Sequence, residues 1–585
     1  MPVTGHETVC LSAPFGLWLG MCEPFCKTSM QHGKDAALAL RDLWYENTII
    51  YCLDIETFMD SDGDGVGDFI GATRRLDYLW GLGVTCIWLM PFFPSPGKDD
   101  GYDVADFLSV DPRLGTLADF VEFVQEASER GIRVIMDIVF NHTSDQHPWF
   151  QAARSDPNSP YRDYYVWRTD DPGDTSDQVV FPGVQKGIWT FDKQAKAWYL
   201  HHFYEFQPDL NMTNPAVRDE LRKAMGLWLQ LGVAGFRIDA APFIINPEGV
   251  SFPNAVRDPH QYLQEMRDFV QHRRGDAILL AEVDEGPTVI GEYFGGGNEF
   301  HLLFNFLLNR DYFLALAIER PDPISASLRD LPAIPAQGQW VNFARHHDEL
   351  NLSRLMEREK EEVFAAFGPD PNMQIYDRGL RRRLASMMNN DRRRLEMAYS
   401  LLFSLPGTPM IFYGEEIGMG ENLDLPERFA VRTPMQWSDG PNAGFSDAPE
   451  GEIVRPVSTD RTYGYKKVNV TRQRRDPESM LNWFASLVRA RKESPEFGWG
   501  SAVELKTNAP TVFAHCSSWD DAGIAVAIHN LSGEACEVTI DLGDWEREQL
   551  VDLFGDRLYE PLSAKNATMQ MEGYGYRWLR VGELR

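Results

Sequence analysis

The chain has 585 residues, 43% hydrophobic, 12% aromatic and 24% charged, which is the composition of a globular protein with a generous core. Its 87 acidic residues outweigh 56 basic ones, for a formal net charge of −31. Such a surface repels phosphate backbones and anionic lipid, so nucleic acid and membrane surfaces are excluded as partners and a neutral ligand fits better.

Seven cysteines are scattered through the sequence, and Cys22 and Cys26 lack a second Cys or His pair nearby, so reduced thiols are expected rather than a zinc site. The apolar stretch at 15–21 is too short to span a bilayer, and no other segment reaches ~18 apolar residues. A cytoplasmic protein is expected.

Residues 1–40 read as an irregular N-terminal extension with a short helix-like patch at 36–43. From Asn47 onward, short apolar runs ending in Asp, Asn, Glu or His alternate with segments of helical period. Strands are expected at 84–90, 133–140, 235–238, 277–281, 340–343 and 410–413, and helices at 117–130, 215–231 and 258–273. This alternation predicts an α/β fold, a (β/α)8 TIM barrel over 41–495. Three stretches interrupt it. Residues 142–205, rich in Trp, Tyr, Pro and Asp and without helical period, read as an insertion after the third strand (domain B). Residues 349–390 read as a charged helical insertion after the seventh strand, and 417–475 as an irregular region after the eighth. Residues 496–585 carry strand and turn patterns (511–516, 523–529, 535–540, 576–581) and predict a C-terminal antiparallel β-sandwich. That domain either caps the barrel or carries a homo-oligomer contact.

Four strand ends carry chemistry. Residues 235–240 (GFRIDA) place Arg237 and Asp239 two apart, so both side chains share one face, and the Arg is expected to lower the pKa of the Asp and keep it ionised as a nucleophile. Residues 277–282 (AILLAE) end in Glu282, which among apolar neighbours is expected to keep a proton for a leaving oxygen. Residues 345–349 (RHHDE) offer Asp348, and 137–143 (DIVFNHT) a polar cluster. Each alone could be a structural ion pair. Four on one barrel point to a catalytic mouth, because barrel strand ends gather such residues. Two carboxylates about 5–5.5 Å apart across a glycosidic bond leave no room for water, so one must attack the anomeric carbon and configuration is retained.

In order and spacing these four segments resemble the signature regions of the α-amylase family, glycoside hydrolase family 13. Within it the chain is most similar to the trehalose synthase branch, which interconverts maltose and trehalose. Further stretches carry the likeness: 60–68 (DSDGDGVGD), 99–106 (DDGYDVAD), 141–150 (NHTSDQHPWF), 207–211 (QPDLN), 414–420 (GEEIGMG) and 431–437 (VRTPMQW). The resemblance implies Asp239 as nucleophile, Glu282 as acid/base and Asp348 as transition-state stabiliser. It also implies that Asp103, His142, Arg237 and His347 hold glucose, with Tyr102 stacking on its ring. The alternative outcome of the same chemistry is an α-glucosidase or transglucosylase acting on short α-glucosides. The chain departs from that branch at His346, where Asn is usual, at Val283-Asp284-Glu285-Gly286-Pro287, and in the loop 425–430 (LPERFA). A leakier pocket favours hydrolysis. A non-catalytic, membrane-anchored role, known among barrel relatives, disagrees with the retained acids and the absence of an anchor.

Asp60, Asp62, Asp64 and Asp68, with the Val66 carbonyl, stand at alternating positions that suit Ca²⁺ or Mg²⁺ in a structural role, although Gly71 at the twelfth position rules out an EF-hand. The resemblance implies a second Ca²⁺ site at Asn141, Asp209 and the backbone of Phe243 and Ile244, with Asn246 in place of a usual Glu. No organic cofactor is expected. The arginine runs 381–383 and 392–394 read as solvated or ion-paired faces. Tyr164, Tyr165, Trp167, Trp189 and Trp198 read as the core of the insertion, and His147 and Trp149 as candidates for the mouth.

Overall fold

A computed structural model describes residues 43–245, 258–449, 451–519, 523–542, 549–554, 562–563 and 567–582. The N-terminal extension, Asn246 and the cysteines at 10, 22 and 26 lie outside the described residues.

Eight parallel strands close on themselves: β1 (Ile50–Leu53), β2 (Cys86–Leu89), β3 (Arg133–Ile138), β4 (Gly235–Ile238), β5 (Ile278–Ala281), β6 (Leu302–Phe304), β7 (Gln339–Phe343) and β8 (Thr408–Phe412). Pairing of Ile50 with Met410 joins the last strand to the first. The strands are buried on both faces, so they read as nearly continuous apolar runs rather than alternating ones. Sequence reading did not single out β1 or β6; β6 has only three residues and no distinctive end.

Helices between the strands are set by their caps. Thr116 and Asp119 form a reciprocal capping box on the helix Leu117–Glu129, whose Phe120, Phe123, Val124 and Ala127 face the core. Asn214 caps the helix Pro215–Gln230, with proline in its first turn. Strand packing needs Gly235: at φ +151°, a Cβ there would lie 2.3 Å from the Ile278 carbonyl oxygen.

The insertion after β3, read as lacking helical period, contains one short helix, Pro148–Ser155, started by proline, capped by His147, and burying Phe150 and Ala153 three residues apart on one face. Beyond it lies a three-stranded antiparallel sheet of Trp167–Arg168, Ala197–Leu200 and Trp189–Asp192. The insertion after β7 combines the helix Glu357–Phe367 with a small sheet of Leu350–Asn351, Gly379–Leu380 and Gln374–Ile375. The C-terminal strands form a six-stranded and a two-stranded antiparallel sheet around Val512, Val526, Ile528, Val538 and Leu579. This domain meets the barrel helix Arg392–Ser404, where the Ser400 hydroxyl contacts His529 Nε2 (2.9 Å) and accepts from Trp578 Nε1 (3.0 Å). Cys52, Cys86 and Cys516 are buried free thiols, and burial pushes Cys86 up to about 12. No helix among the described residues is long and apolar enough to cross a membrane.

Candidate active site

Parallel register sets the site. Asp137 on β3 lies beside Arg237 on β4, and Ile238 beside Ala281 on β5, so Asp239 and Glu282 leave adjacent strands at one level. The Arg237 side chain is 1% exposed and Nη1 donates to Asp137 (2.8 Å) and Asp239 (2.7 Å), while Nη2 donates to Glu282. One planar fork thus fixes both candidate acids on adjacent nitrogens. Asp239 is followed by Ala240 at φ 48°, a left-handed turn into the helix Ala241–Ile245. Non-glycine residues adopt that region at a cost of roughly 1–3 kcal/mol, and it occurs where a side chain must be aimed.

Asp137 also accepts from Tyr102 Oη (3.0 Å) and Trp88 Nε1 (3.1 Å). Tyr102 Oη lies 2.7 Å from His347 Nε2, and the two rings stack at 5.4 Å and 9°. His347 Nε2 stands 2.9 Å from Asp348, whose other oxygen accepts from Arg428 and Arg432, each at 2.7 Å. The carboxylates therefore sit in different fields. Burial raises Glu282 to about 8, against the opposing Arg237. Burial likewise raises Asp239 to about 6, so the expected lowering by arginine is not the net effect: Arg237 is shared among three carboxylates and does not offset desolvation. Asp348 is held well below its ordinary value, because His347, Arg428 and Arg432 outweigh its burial.

These groups open into a cavity of about 520 Å³. Its wall includes Tyr102, His142, Asp239, Glu282 and Asp348. The buried His142 Nε2 has no protein partner, as a group aimed at a ligand hydroxyl would not. Arg237 and His347 lie behind the wall and act on it through their hydrogen bonds. Asp103 is a correction. It is wholly buried and its carboxylate accepts from Ser95 Oγ (2.7 Å) and the Lys98 and Asp99 amides (both 3.1 Å), so it holds the loop rather than a ligand. Asp99 takes the place in the wall, bonded to Arg428 Nη2 (2.6 Å) and Gln207 Nε2 (2.8 Å).

Sequence reasoning also missed Arg428 and the apolar wall of Phe181, Phe203 and Phe306. Arg428 is 80 residues from Asp348; its loop, 425–430, stands out in the sequence as a departure, but its contacts with Asp348 and Asp99 do not. His346, marked in the sequence as a departure from the trehalose synthase branch, lines the cavity beside Phe306. Tyr164, Tyr165 and Trp167 pack among Trp149, Phe150 and Tyr199, Trp189 on the small cluster of Val166, Ile188 and Leu200, and Trp198 on Phe191; none lines the cavity. His147 caps a helix and packs on Trp149 away from the cavity. The arginine runs bind carbonyls and acids: Arg381 donates to Leu425 O (2.6 Å), Arg382 to Glu421 (2.9 Å) and Arg392 to Glu396 (2.6 Å).

Carboxylate oxygens of Asp60, Asp62 and Asp68 lie within 4.8 Å of one another. Asp64 stands outside that group and caps the Val66 amide (2.8 Å). Gly65 is required there, at φ +93°, because a Cβ would approach the Glu452 carbonyl oxygen to 2.2 Å. These three carboxylates fit a hard cation. The second set fits poorly: Asn141 donates to Asp209 (3.1 Å), and Asp209 also takes the His202 imidazole and amide.

A closed parallel barrel with an Arg-linked Asp and Glu at its mouth is the architecture of a retaining glycoside-active enzyme. The α-amylase catalytic domain model matches residues 53–367 and 370–500, and a sucrose hydrolase-like C-terminal domain model matches 524–580. The chain belongs to the α-amylase family. It is 39% identical over 555 residues to the trehalose synthase/amylase TreS of Mycobacterium tuberculosis, covering 94% of this chain and 92% of that one. It is 41% identical over 525 residues to the trehalose synthase of Thermus thermophilus, covering 89% of this chain and 54% of that one. The glucan 1,6-alpha-glucosidase of Streptococcus pneumoniae is 32% identical over 542 residues, covering 86% and 94%. Among solved structures, a mutant of the trehalulose synthase MutB in complex with Tris is similar with a TM-score of 0.74 at 26% identity, covering 92% of this chain and all of that one.

Proposed function

We propose that the protein interconverts maltose and trehalose by intramolecular glucosyl transfer with retention. The observation that carries this reading is the Arg237 fork, which holds Asp239 and Glu282 side by side in the wall of the cavity. Glu282, protonated near neutrality, gives its proton to the glycosidic oxygen as the C1–O bond breaks. Asp239 attacks C1 and forms a covalent glucosyl-enzyme, while Asp348 stabilises the positive charge of the ring. The released glucose turns within the cavity and presents a different hydroxyl. Glu282, now a carboxylate, removes that proton, and the new oxygen displaces Asp239 from C1. Water in place of glucose gives hydrolysis. His142 and Asp99 fit the hydroxyls of the innermost sugar.

The similarity to trehalose synthases over most of the chain supports the isomerase outcome, and the substrates are small neutral α-glucosides. The similarity to the glucan 1,6-alpha-glucosidase favours a second reading, hydrolysis or transfer on short α-glucosides. Asp60, Asp62 and Asp68 would hold Ca²⁺ or Mg²⁺, whose charge would tie the 60–68 loop together. Work in the cytoplasm suits the acidic, thiol-bearing chain.

Incubation with maltose and chromatographic resolution of the products tests the proposal. Trehalose accumulating at the expense of maltose, with glucose a minor product, supports it. Abundant glucose with no trehalose overturns it in favour of the second reading.

A further inference from the structure

A chain of buried ion pairs runs behind the cavity wall and ends on Asp348. Asp54, which follows β1 and caps the helix Ile55–Phe58, Glu56 within that helix, and Asp100 in the loop after β2 bring carboxylate oxygens within 4.8 Å of one another. Their side chains are only 5–13% exposed, so the three charges repel strongly and need a cation. Arg455 supplies it. Its Nη2 donates to Glu56 Oε2 (2.6 Å) and to Asp100, and its Nη1 to Asp54 Oδ2 (3.3 Å) and to the Arg432 carbonyl (3.0 Å). One guanidinium thus neutralises a cluster whose spacing would otherwise suit a metal ion.

Asp100 passes the constraint on. Its other oxygen accepts from Arg432 Nη1 (2.7 Å). Arg432 Nε donates to the His347 carbonyl (2.8 Å), and Arg432 Nη2 to Asp348 Oδ1 (2.7 Å). A guanidinium is planar, so bonds from three of its nitrogens fix both its place and its tilt. Asp100 has φ 54°, a left-handed conformation that a non-glycine residue keeps only where its surroundings over-determine it, as the two arginines do here. Asp100 and Arg432 belong to the stretches 99–106 and 431–437, and Arg455 to the irregular region 417–475. None of the three lines the cavity.

We infer that Arg455 and Asp100 are positioning residues for Asp348, acting through the Arg432 guanidinium. The inference rests on Asp348 as the group that stabilises charge on the sugar ring, and it holds whether isomerisation or hydrolysis follows. Positive charge develops at the ring only in the transition state, so the place of the Asp348 carboxylate matters to the chemical step more than to binding. A displacement of about 1 Å transmitted from outside the site costs about 10²-fold. Loss of the chain therefore falls on kcat and spares KM.

The test measures kcat and KM on an aryl α-glucoside, with thermal unfolding, for Arg455→Ala, Arg455→Lys, Asp100→Asn and Asp348→Ala. Arg455→Ala is expected to lower kcat about 10²-fold with KM held within about threefold. Added guanidinium, at concentrations well below those that unfold the wild type, refills the space and restores kcat about tenfold or more, whereas sodium chloride at equal ionic strength does not. Arg455→Lys keeps the charge without the fork, and Asp100→Asn leaves one oxygen for two donors, so each loses about tenfold in kcat. Those two decide the matter if the uncompensated carboxylates prevent Arg455→Ala from folding. Folded Arg455→Lys and Asp100→Asn with kcat within about twofold of wild type, beside an inactive Asp348→Ala, overturn the positioning role alone. A loss in folded Arg455→Ala that guanidinium leaves untouched also overturns it. Asp348→Ala with the kcat of the wild type overturns this inference and the role of Asp348 together.

Discussion

The shifted carboxyls make the pH profile a sharp prediction. Asp239 must be ionised to attack, so activity is lost as pH falls through about 6; Glu282 must be protonated to donate, so activity is lost as pH rises through about 8. At pH 7 a carboxyl at about 8 is roughly 90% protonated, whereas one at its ordinary value of 4.5 would be about 0.3% protonated. Burial therefore raises the population of the donating form about 300-fold. The assay is kcat/KM for maltose from pH 4.5 to 9.5, repeated for Glu282→Gln on an aryl α-glucoside whose leaving group needs no proton. The wild-type profile is a bell with limbs near 6 and 8, apparent values that belong to the linked pair. Glu282→Gln keeps measurable glucosylation of the enzyme and lacks the alkaline limb. An alkaline limb that persists in Glu282→Gln would refute the assignment of the proton to Glu282.

Further outcomes follow from single contacts. Asp239→Ala removes the attacking group and lowers kcat by about 10⁴-fold or more while leaving the thermal unfolding midpoint within a few degrees, read by steady-state kinetics and calorimetry. Glu282 has its folded-state pKa raised above 4.5, so its contribution to stability is full below 4.5 and lost as pH rises through about 8; Glu282→Gln escapes that loss and melts higher than wild type at pH 8.5. Gly65→Ala forces a Cβ onto the Glu452 carbonyl and abolishes any stabilisation by added Ca²⁺, measured as the shift in melting temperature between chelator and Ca²⁺. Ser400→Ala strips the hydroxyl partner from His529 and Trp578 between barrel and C-terminal domain, costing about 1–3 kcal/mol in urea unfolding.

What the sequence made legible is what local pattern encodes. Buried parallel strands write themselves as apolar runs, so β2 to β5, β7 and β8 stand out, and the polar residues that follow them name Asp239, Glu282 and Asp348. Strands too short to have a pattern, such as Leu302–Phe304, do not. Asp99 and Asp103 flank the same tyrosine and look alike in one dimension; only the loop decides that one faces the cavity and the other is spent on amides. Arg428 and Phe181 reach the site from loops hundreds of residues apart, and their roles exist only once those loops meet. The pKa of Asp239 illustrates the same limit: the neighbouring arginine is visible in GFRIDA, but its sharing with Asp137 and Glu282 is not.

Anomeric configuration of the first-formed sugar gives the most direct check on the two facing carboxyls. With an aryl α-glucoside as substrate, proton NMR in the first minutes, before mutarotation, resolves the product. Two displacements at one carbon by Asp239 and then water deliver α-glucose. β-Glucose appearing first would mean a single displacement, and a site built differently from the one described.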